Sequence, residues 1–383
     1  MFSSNVDIKA ILGDFVIEGM MFRYSSFMGR LYNFCRSLGF EKGKILPSRA
    51  FCSDENQGYP IILMAKHFGT FPFNHGRVGG IVSTDRHGPY AEHGKDLVLI
   101  HASHVGYDPD THAFGPYRRL QTEFSETRPT CGKIENVLQW YGNEYAFAKE
   151  NIFLERHDEY FMVTVDNQLL RENRREGILL NMEKIVLPGE RGEFHPLKSY
   201  STSKCYPASK DFRVLLGESR WPVNGRRTIG DWLLPELFRF KRDIPDDPET
   251  HGYLEQNLLN PMTQIVTSQF PLLTAAQVNT QVEFDRTYRT LVKADGYSGK
   301  QVVLISGLNI DISPGEGQVF PLTKFVPWAA FVKQRNGQGH LLEQKELFNE
   351  LLNQRENNPD EVDLEAAIQK MEDEEEIRIK TSN

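Results

Sequence analysis

The chain has 383 residues, 39% hydrophobic and 25% charged, which is the composition of a globular protein large enough to bury a sizeable core. Its formal net charge of −8 argues against a nucleic-acid or anionic-membrane partner, because both require clustered Lys and Arg to contact phosphate. No stretch approaches the roughly 20 apolar residues that cross a bilayer, so no membrane span is expected.

The chain also carries information about its compartment. The amino-terminal sequence MFSSNVDIKAILGDF lacks a basic segment followed by an apolar one, so no secretion signal is expected. The four cysteines, Cys35, Cys52, Cys131 and Cys205, are too scattered for a disulfide framework. The sequence therefore predicts a cytoplasmic protein, or one in another reducing compartment, whose thiols are available as metal ligands.

The first third of the chain alternates helical and strand patterns. Apolar residues at three- to five-residue intervals predict a helix within 15–40, with Gly39 as its stop. The segments GKILPSRAFCS, GGIVST and KDLVLIHAS predict strands, and YPIILMAKHFG predicts a helix or a buried segment. The continuous apolar run 97–100 favours a strand covered on both faces, which is typical of an α/β domain.

The remaining two thirds are less regular. From about Gln139 to Lys241, charged and apolar residues mix and loop clusters recur, which favours an insertion of mixed structure over an independent catalytic unit. A helical stretch then begins near Pro248, and KQVVLISGLNIDI predicts a strand. The polar, acidic tail from about Gln354 predicts a solvated helix or a disordered segment.

Three residues form a candidate metal site: Cys52, a histidine of LIHASHVGYD, and Cys131. Two thiolates and one imidazole suit zinc, and three protein ligands leave the fourth tetrahedral position for water. On a strand, His101 and His104 face opposite sides unless the strand ends between them. We favour His104, which follows the apolar run, with Asp108 as the partner of its second nitrogen. The spacings match no short zinc motif, so ordinary buried thiols and a core histidine remain an alternative.

Five blocks in order resemble the limiting-CO2-inducible B/C (LCIB-like) family, whose domain is similar to β-type carbonic anhydrases. The blocks are CSDE, HFGTFPFNHGRVGGI, LVLIHASHVGYD, TCGKI and KQVVLISGLNIDISPGEGQVFP. The resemblance implies an α/β fold with a β-carbonic-anhydrase-like sheet flanked by helices, usually assembled as a homodimer. It implies Cys52, His104 and Cys131 as ligands of Zn2+, with CO2 and bicarbonate as substrates.

The resemblance also implies a domain organisation. The zinc-binding, carbonic-anhydrase-like domain is discontinuous, covering 1–140 and 243–345. Residues 141–242 are then a large insertion of mixed structure, and 346–383 are the acidic carboxy-terminal helix or tail.

Further residues match family positions around the ligands. Asp54 is implied as the catalytic acceptor that orients hydroxide, and Gly79 and Gly80 match a pair that lets the backbone pass close to the site. β-type enzymes carry Cys-x-Asp-x-Arg, in which the arginine keeps the aspartate off the metal. Here Asn56 stands at the arginine position, and an asparagine cannot form the bidentate, charged pair with a carboxylate.

A substitute arginine would keep Asp54 off the metal. Arg49, Arg77 and Arg86 are the candidates, and without one of them Asp54 could become the fourth ligand and close the site. Arg86 lies in the loop VSTDRHGPYAEHGKD, which departs from the family pattern. The loop adds Asp85, His87, Glu92 and His93 to a segment that the family keeps less charged, and His87 or His93 is either a proton shuttle or a solvent-exposed histidine.

The leading hypothesis is a zinc-dependent carbonic anhydrase that interconverts CO2 and bicarbonate through zinc-bound hydroxide. Two alternatives stay open. One is a non-catalytic zinc protein that keeps the fold as a binding or assembly module, and the other is a zinc hydrolase of another small electrophile. The sequence contains no phosphate-binding loop and no Gly-x-Ser-x-Gly elbow, which argues against those two enzyme classes.

Overall fold

The structure is a computed structural model that describes residues 12–13, 15–83, 96–118, 127–171, 175–244, 252–316, 318 and 321–374. The chain divides into two compact units. The site unit comprises Asp14–Cys131 and Asn279–Asn383, and the middle unit comprises Met1–Gly13 and Gly132–Val278.

The described elements are numbered in chain order. The strands are β1 (Phe22–Arg23), β2 (Ile45–Ala50), β3 (Phe73–Asn74), β4 (Gly76–Arg77), β5 (Ile81–Val82), β6 (Asp96–Asp108), β7 (Ala113–Tyr117), β8 (Arg128–Pro129), β9 (Ile152–His157), β10 (Tyr160–Asp166), β11 (Gly177–Leu180), β12 (Lys198–Ser199), β13 (Ser203–Pro207), β14 (Arg226–Thr228), β15 (Phe238–Lys241), β16 (Val302–Ile312), β17 (Leu322–Lys333) and β18 (Gly339–Leu342). The helices are α1 (Tyr24–Ser37), α2 (Gly58–Phe68), α3 (Gly132–Asn151), α4 (Met182–Ile185), α5 (Lys210–Leu216), α6 (Gly252–Leu259), α7 (Met262–Thr267), α8 (Pro271–Lys293), α9 (Gln344–Asn353) and α10 (Leu364–Asp373).

The site unit is built on a nine-stranded mixed sheet whose main path runs β1-β17-β16-β6-β2-β3. The central strands β16, β6, β2 and β3 are parallel, and β17 pairs antiparallel with β16. Outside this path, β7 pairs antiparallel with the end of β6, and β8 pairs antiparallel with β7. The α/β class predicted from the sequence is confirmed, and the long central strands β6 and β16 coincide with its two strongest strand patterns.

Strand β6 is buried on both of its faces. Val98 belongs to the same apolar cluster as Phe27 of α1, whereas its neighbour Leu99 belongs to a second cluster with Leu291 of α8. Each fully buried side chain of this kind stabilises the fold by about 1.5–3 kcal/mol. The continuous apolar run therefore reflects a strand with helices on both sides, as predicted, and its alternate residues point to different layers.

Some predicted boundaries differ from the structure. The helix expected within 15–40 is shorter, because the chain first pairs with β17 at β1 and enters α1 only at Tyr24. The segment YPIILMAKHFG, predicted as a helix or a buried segment, forms helix α2. The helix is capped by Gly69, whose φ of +71° is left-handed. Pro248 lies outside the described residues. The carboxy-terminal α10 is helical, with no buried side chain.

The middle unit contains a five-stranded sheet of order β12-β13-β10-β9-β14 and the two-stranded pair β11-β15. Both are antiparallel. Its own apolar cluster includes Leu154, Val163, Trp221 and Leu237, so the unit has a core of its own. Across both units, none of the described helices is long and apolar enough to span a membrane.

Candidate metal centre

Three residues from distant parts of the chain meet in the site unit. Cys52 follows the end of β2, His104 lies within β6, and Cys131 immediately precedes α3. Their candidate ligand atoms all lie within 4.8 Å of one another. All three side chains are buried. The structure thus brings together the three residues that the sequence predicted as ligands, and the group could hold a metal ion.

The segment before Cys131 reaches this position through a close backbone approach. The Thr130 N–H donates to the Gly115 carbonyl in β7 at 3.2 Å. Gly106 of β6 lies directly beneath, where a Cβ atom would stand only 2.1 Å from the Thr130 hydroxyl. A side chain at Gly106 would therefore push this segment, and Cys131 with it, away from β6.

The other nitrogen of His104 is held by a carboxylate. His104 Nδ1 lies 2.8 Å from Asp311 Oδ2, and both side chains are fully buried. Thr323 donates to the other oxygen of Asp311 at 3.0 Å. Asp311 therefore fixes the imidazole with Nδ1 as donor and turns Nε2 toward the cysteines, which is the usual arrangement behind a metal-binding histidine.

Asp108 does not take this role, so that prediction is wrong. Asp108 accepts from the Thr111 hydroxyl at 2.9 Å in the turn after β6, and Arg118 lies 3.9 Å away. Asp311 is nearer because β16 runs parallel to β6 in a register that sets Asn309 beside His104. Asp311 then follows two residues later on the same face of β16.

Gln57 supports His104 indirectly, through Asp311. Its amide nitrogen donates to Asp311 Oδ2 at 3.2 Å, and its carbonyl accepts from Asn309 Nδ2 at 2.6 Å. Four residues of this network have no role in the sequence-based predictions: Gln57, Asn309, Asp311 and Thr323. The available signal was the pair of polar residues two apart in GLNIDI, which puts both on one face of an otherwise apolar strand.

His104 Nε2 is the atom that tests whether a metal fits. It is buried and has no hydrogen-bond partner within the described part of the chain. Burial alone would lower the pKa of His104, but the Asp311 carboxylate and the two neighbouring thiols outweigh it and raise that pKa well above its usual value. An unpaired imidazole nitrogen beside two thiols matches the donor set that zinc prefers.

The two thiols differ in their surroundings. The hydrogen bond with Cys131 lowers the pKa of Cys52 to about 3, against the effect of burial and with further help from His104 and from the Gly79 N–H. The same hydrogen bond raises the pKa of Cys131. Gly79 N lies 3.2 Å from Cys52 Sγ. Cys52 is therefore favoured as a thiolate, the form that binds metal.

The predicted glycine pair lies against the site. Gly79 and Gly80 have φ of +85° and +75°, which side-chain-bearing residues rarely adopt. A Cβ atom on Gly80 would lie 3.1 Å from the Ala102 carbonyl of β6. The turn thus needs glycine both for its conformation and for its approach to the sheet, and this approach brings the Gly79 N–H to Cys52.

Asp54 and Asn56 occupy the turn after Cys52. Asp54 is half-buried, burial raises its pKa, and its carboxylate accepts from the Asn56 backbone N–H at 3.1 Å. The Asn56 side chain is buried and accepts from the Tyr117 hydroxyl through Oδ1. Its Nδ2 has no partner among the described residues, so this amide does not replace the arginine by donating to Asp54.

The candidate substitutes for that arginine are placed as follows. Arg77 donates through Nε to the Ser83 hydroxyl at 3.0 Å, and Arg49 is half-buried in β2, where burial lowers its pKa. Arg86 lies outside the described residues. So do the loop residues Asp85, His87, Glu92 and His93.

His101 points away from the cysteines. Its Nε2 lies 2.8 Å from His75 Nε2, and its Nδ1 lies 3.5 Å from the Thr287 hydroxyl of α8. The expected opposition of His101 and His104 therefore holds, but His104 lies inside β6 rather than where the strand ends, because β6 continues to Asp108. Only His104 of the two joins the ligand group.

Solved structures of similar fold match most of the chain. The crystal structure of PtLCIB4, a homolog of the limiting CO2-inducible protein LCIB, matches with a TM-score of 0.51 and 12% identity over 85% of this chain and 95% of that one. The chain has an LCIB-like fold. A mutant of PtLCIB4 gives the same TM-score and identity over 88% and 98% of the two chains.

The LCIB-like fold confirms the resemblance predicted from five short blocks. The crystal structure of LCIB itself matches with a TM-score of 0.45 and 13% identity, over 85% of this chain and 96% of that one. No protein-family model matches the sequence, and no curated protein matches it.

Proposed function

We propose that this protein is a zinc-dependent carbonic anhydrase in which Cys52, His104 and Cys131 hold the metal. The main support for the proposal is that two buried thiols and one buried imidazole lie together, with their ligand atoms within 4.8 Å of one another. Zinc is the ion that this donor set favours. Solved proteins of this fold are named for induction by limiting CO2, so CO2 and bicarbonate are the proposed substrates.

A bound zinc ion would lower the pKa of a coordinated water to about 7 and thereby supply hydroxide at neutral pH. The protein's own groups would set the geometry for that chemistry. Asp311 and Gln57 orient His104, and the Gly79 N–H stabilises the Cys52 thiolate. Asp54, two residues beyond Cys52 and half-buried, would accept a hydrogen bond from the attacking hydroxide and direct its lone pair toward CO2.

The test measures metal and activity on the same preparations. We expect about one zinc per chain and CO2 hydration in stopped-flow assays, with both lost in Cys52→Ala. Cys35→Ala is the matched control, because Cys35 is also a buried thiol but belongs to the apolar cluster around α1. Hydration at full rate without metal would contradict the ligand assignment.

A metal-holding protein without hydration activity is the second candidate. The observation that favours it is Asn56, which stands where the resemblance to β-type enzymes expects an arginine and which leaves its Nδ2 unpaired within the described chain. Zinc at one ion per chain with no detectable hydration would support this binding role and contradict the enzyme.

Assembly and location belong to the same proposal. We propose a homodimer in a reducing compartment, where the site thiols stay available to the metal. Sedimentation of the zinc-loaded protein tests the first point, and thiol titration before and after reduction tests the second. A monomer at micromolar concentration, or a disulfide between Cys52 and Cys131, would contradict them.

A further inference from the structure

One half of a buried amide is left without a partner beside the candidate metal centre. The Asn56 side chain is 6% exposed, and its Nδ2 is buried with no hydrogen-bond partner in the described part of the chain. A buried donor without an acceptor destabilises a protein by about 1–3 kcal/mol, so such groups are uncommon. An acceptor that meets Nδ2 in the working protein would remove this cost.

Tyr117 determines which half of the amide is unpaired. The Tyr117 hydroxyl, itself buried in β7, donates to Asn56 Oδ1. The carbonyl oxygen of the amide faces the phenol, so the NH2 group faces the other way. The unpaired group is therefore a donor rather than an acceptor.

Asn56 is held between the two segments that carry the cysteines. Its backbone N–H donates to Asp54 at 3.1 Å, and the next residue, Gln57, reaches His104 and Asp311. On the other side, Tyr117 belongs to β7, whose Gly115 carbonyl binds the Thr130 N–H just before Cys131. Asn56 is thus bonded to the turn that follows Cys52 and to the strand that holds the segment before Cys131.

Two buried atoms close in the fold to the two cysteines lack partners among the described residues, and they suit partners of opposite kinds. His104 Nε2 is the nitrogen that a metal cation would take in place of a proton, whereas Asn56 Nδ2 is a donor that needs an acceptor. An oxyanion held at a metal ion would supply the acceptor, and the metal would supply the cation. Bicarbonate has this character, since it carries one negative charge over a planar set of oxygens.

We infer that Asn56 is a substrate-binding residue whose Nδ2 donates a hydrogen bond to an oxygen of bicarbonate at the metal centre, and that Tyr117 is the positioning residue that holds the amide for it. The inference rests on the proposed function for the identity of the anion. It assigns to Asn56 a contact with the substrate, in place of a contact with Asp54.

The test is a binding measurement that does not depend on turnover. Zinc is replaced by cobalt(II), and the visible absorption of the cobalt centre is followed during titration with bicarbonate. Asn56→Leu should weaken bicarbonate binding by about tenfold or more, the loss expected for a hydrogen bond to a charged group, at unchanged cobalt content. Tyr117→Phe should weaken it less, because the amide keeps its donor but loses its fixed orientation.

Two further variants distinguish the loss of a bicarbonate contact from a general loss of stability. Asn56→Leu combined with Tyr117→Phe removes both polar partners, so it should fold at least as well as Asn56→Leu alone and bind bicarbonate as weakly. Asn358→Leu is the control, because Asn358 is an equally buried amide whose nitrogen already donates to the His67 carbonyl at 3.0 Å. It should lower stability and leave bicarbonate affinity unchanged.

The inference and the proposed function fail in different ways. Asn56→Leu binding bicarbonate as tightly as the wild type would overturn the inference, even if the wild type hydrates CO2. A wild type that binds no bicarbonate at the cobalt centre would also overturn it. A wild type that binds bicarbonate through Asn56 but does not hydrate CO2 would support the inference and contradict the enzyme.

Discussion

Asp311 Oδ2 lies 2.8 Å from His104 Nδ1, and neither side chain is accessible to solvent. The two residues are 207 positions apart in the chain and meet only because β6 and β16 are parallel neighbours. The carboxylate holds a proton on Nδ1 and leaves Nε2 for a metal, so it acts on the candidate metal centre through His104 alone.

Asp311→Asn should therefore weaken metal binding. An amide cannot stabilise the Nδ1–H form of His104 as a carboxylate does, and losses of about 10- to 100-fold in affinity are typical of such a change. Competition with a chromophoric zinc chelator measures the effect. Asp108→Asn is the matched control, since Asp108 is also buried near the end of β6 but bonds Thr111. Equal affinities for both variants would refute the role of Asp311.

Asp54→Ala separates two roles for this carboxylate. If Asp54 orients the nucleophile, the variant should keep its zinc and lose CO2 hydration by about a hundredfold or more. If Asp54 instead binds the metal as a fourth ligand, the variant should lose zinc affinity and admit anions more readily. Stopped-flow rates and zinc content distinguish the two, with Glu55→Ala, the adjacent exposed carboxylate, expected to change neither.

The His75–His101 pair should make the protein sensitive to acid. Burial, with the charge of Arg49, lowers the pKa of His75 to about 3, and burial, with His75, lowers the pKa of His101 well below its usual value. In the unfolded chain both would titrate near 6.5. Stability is then complete above about pH 6.5 and falls as the pH drops toward 3, by up to about 1.4 kcal/mol per pH unit for each histidine.

His75→Gln tests this expectation. Removing one of the two groups should flatten the decline of the unfolding free energy between about pH 7 and pH 5, as measured by urea denaturation. His340→Gln, at an exposed histidine of β18, should leave the decline as it is. An identical slope in wild type and His75→Gln would show that the pair is not the source.

Gly80→Ala should destabilise the site unit more than Gly43→Ala. Both glycines have φ of +75°, so both substitutions meet the same backbone strain of about 1–2 kcal/mol. Around Gly43 nothing lies within 4 Å of an added Cβ, whereas at Gly80 the Ala102 carbonyl lies 3.1 Å away. Denaturant unfolding of the two variants isolates the cost of the close approach, and equal losses would show that it costs nothing.

The sequence was informative where the signal is local. The apolar run around Leu99 predicted a strand buried on both faces, and the odd spacing of His101 and His104 predicted that they face opposite sides, because both follow from the period of a strand. The ligand group itself came from resemblance, since separations of tens of residues carry no period. Asp311, the partner of His104, could not be predicted because neither segment alone indicates that β6 pairs in parallel with β16.

The same reasoning explains the errors at boundaries. The segment KDLVLIHAS predicts a strand that ends at Ser103, but β6 continues to Asp108, because a strand inside a sheet can carry buried histidines when each finds a partner on a neighbouring element. The Asn56 side chain does not donate to Asp54, and the Tyr117 hydroxyl holds its carbonyl oxygen instead. That contact joins residues 61 positions apart, so no spacing near Asp54 reveals it.

The three-residue step from His101 to His104 also determines how many histidines of β6 face the candidate metal centre. If an even number of residues separated the two histidines, both imidazoles would face Cys52 and Cys131. The result would be a Cys2His2 ligand set, which is typical of structural zinc sites. With the odd step, the strand delivers one imidazole to each layer. One residue more or less between the two histidines would therefore change how many imidazoles face Cys52 and Cys131.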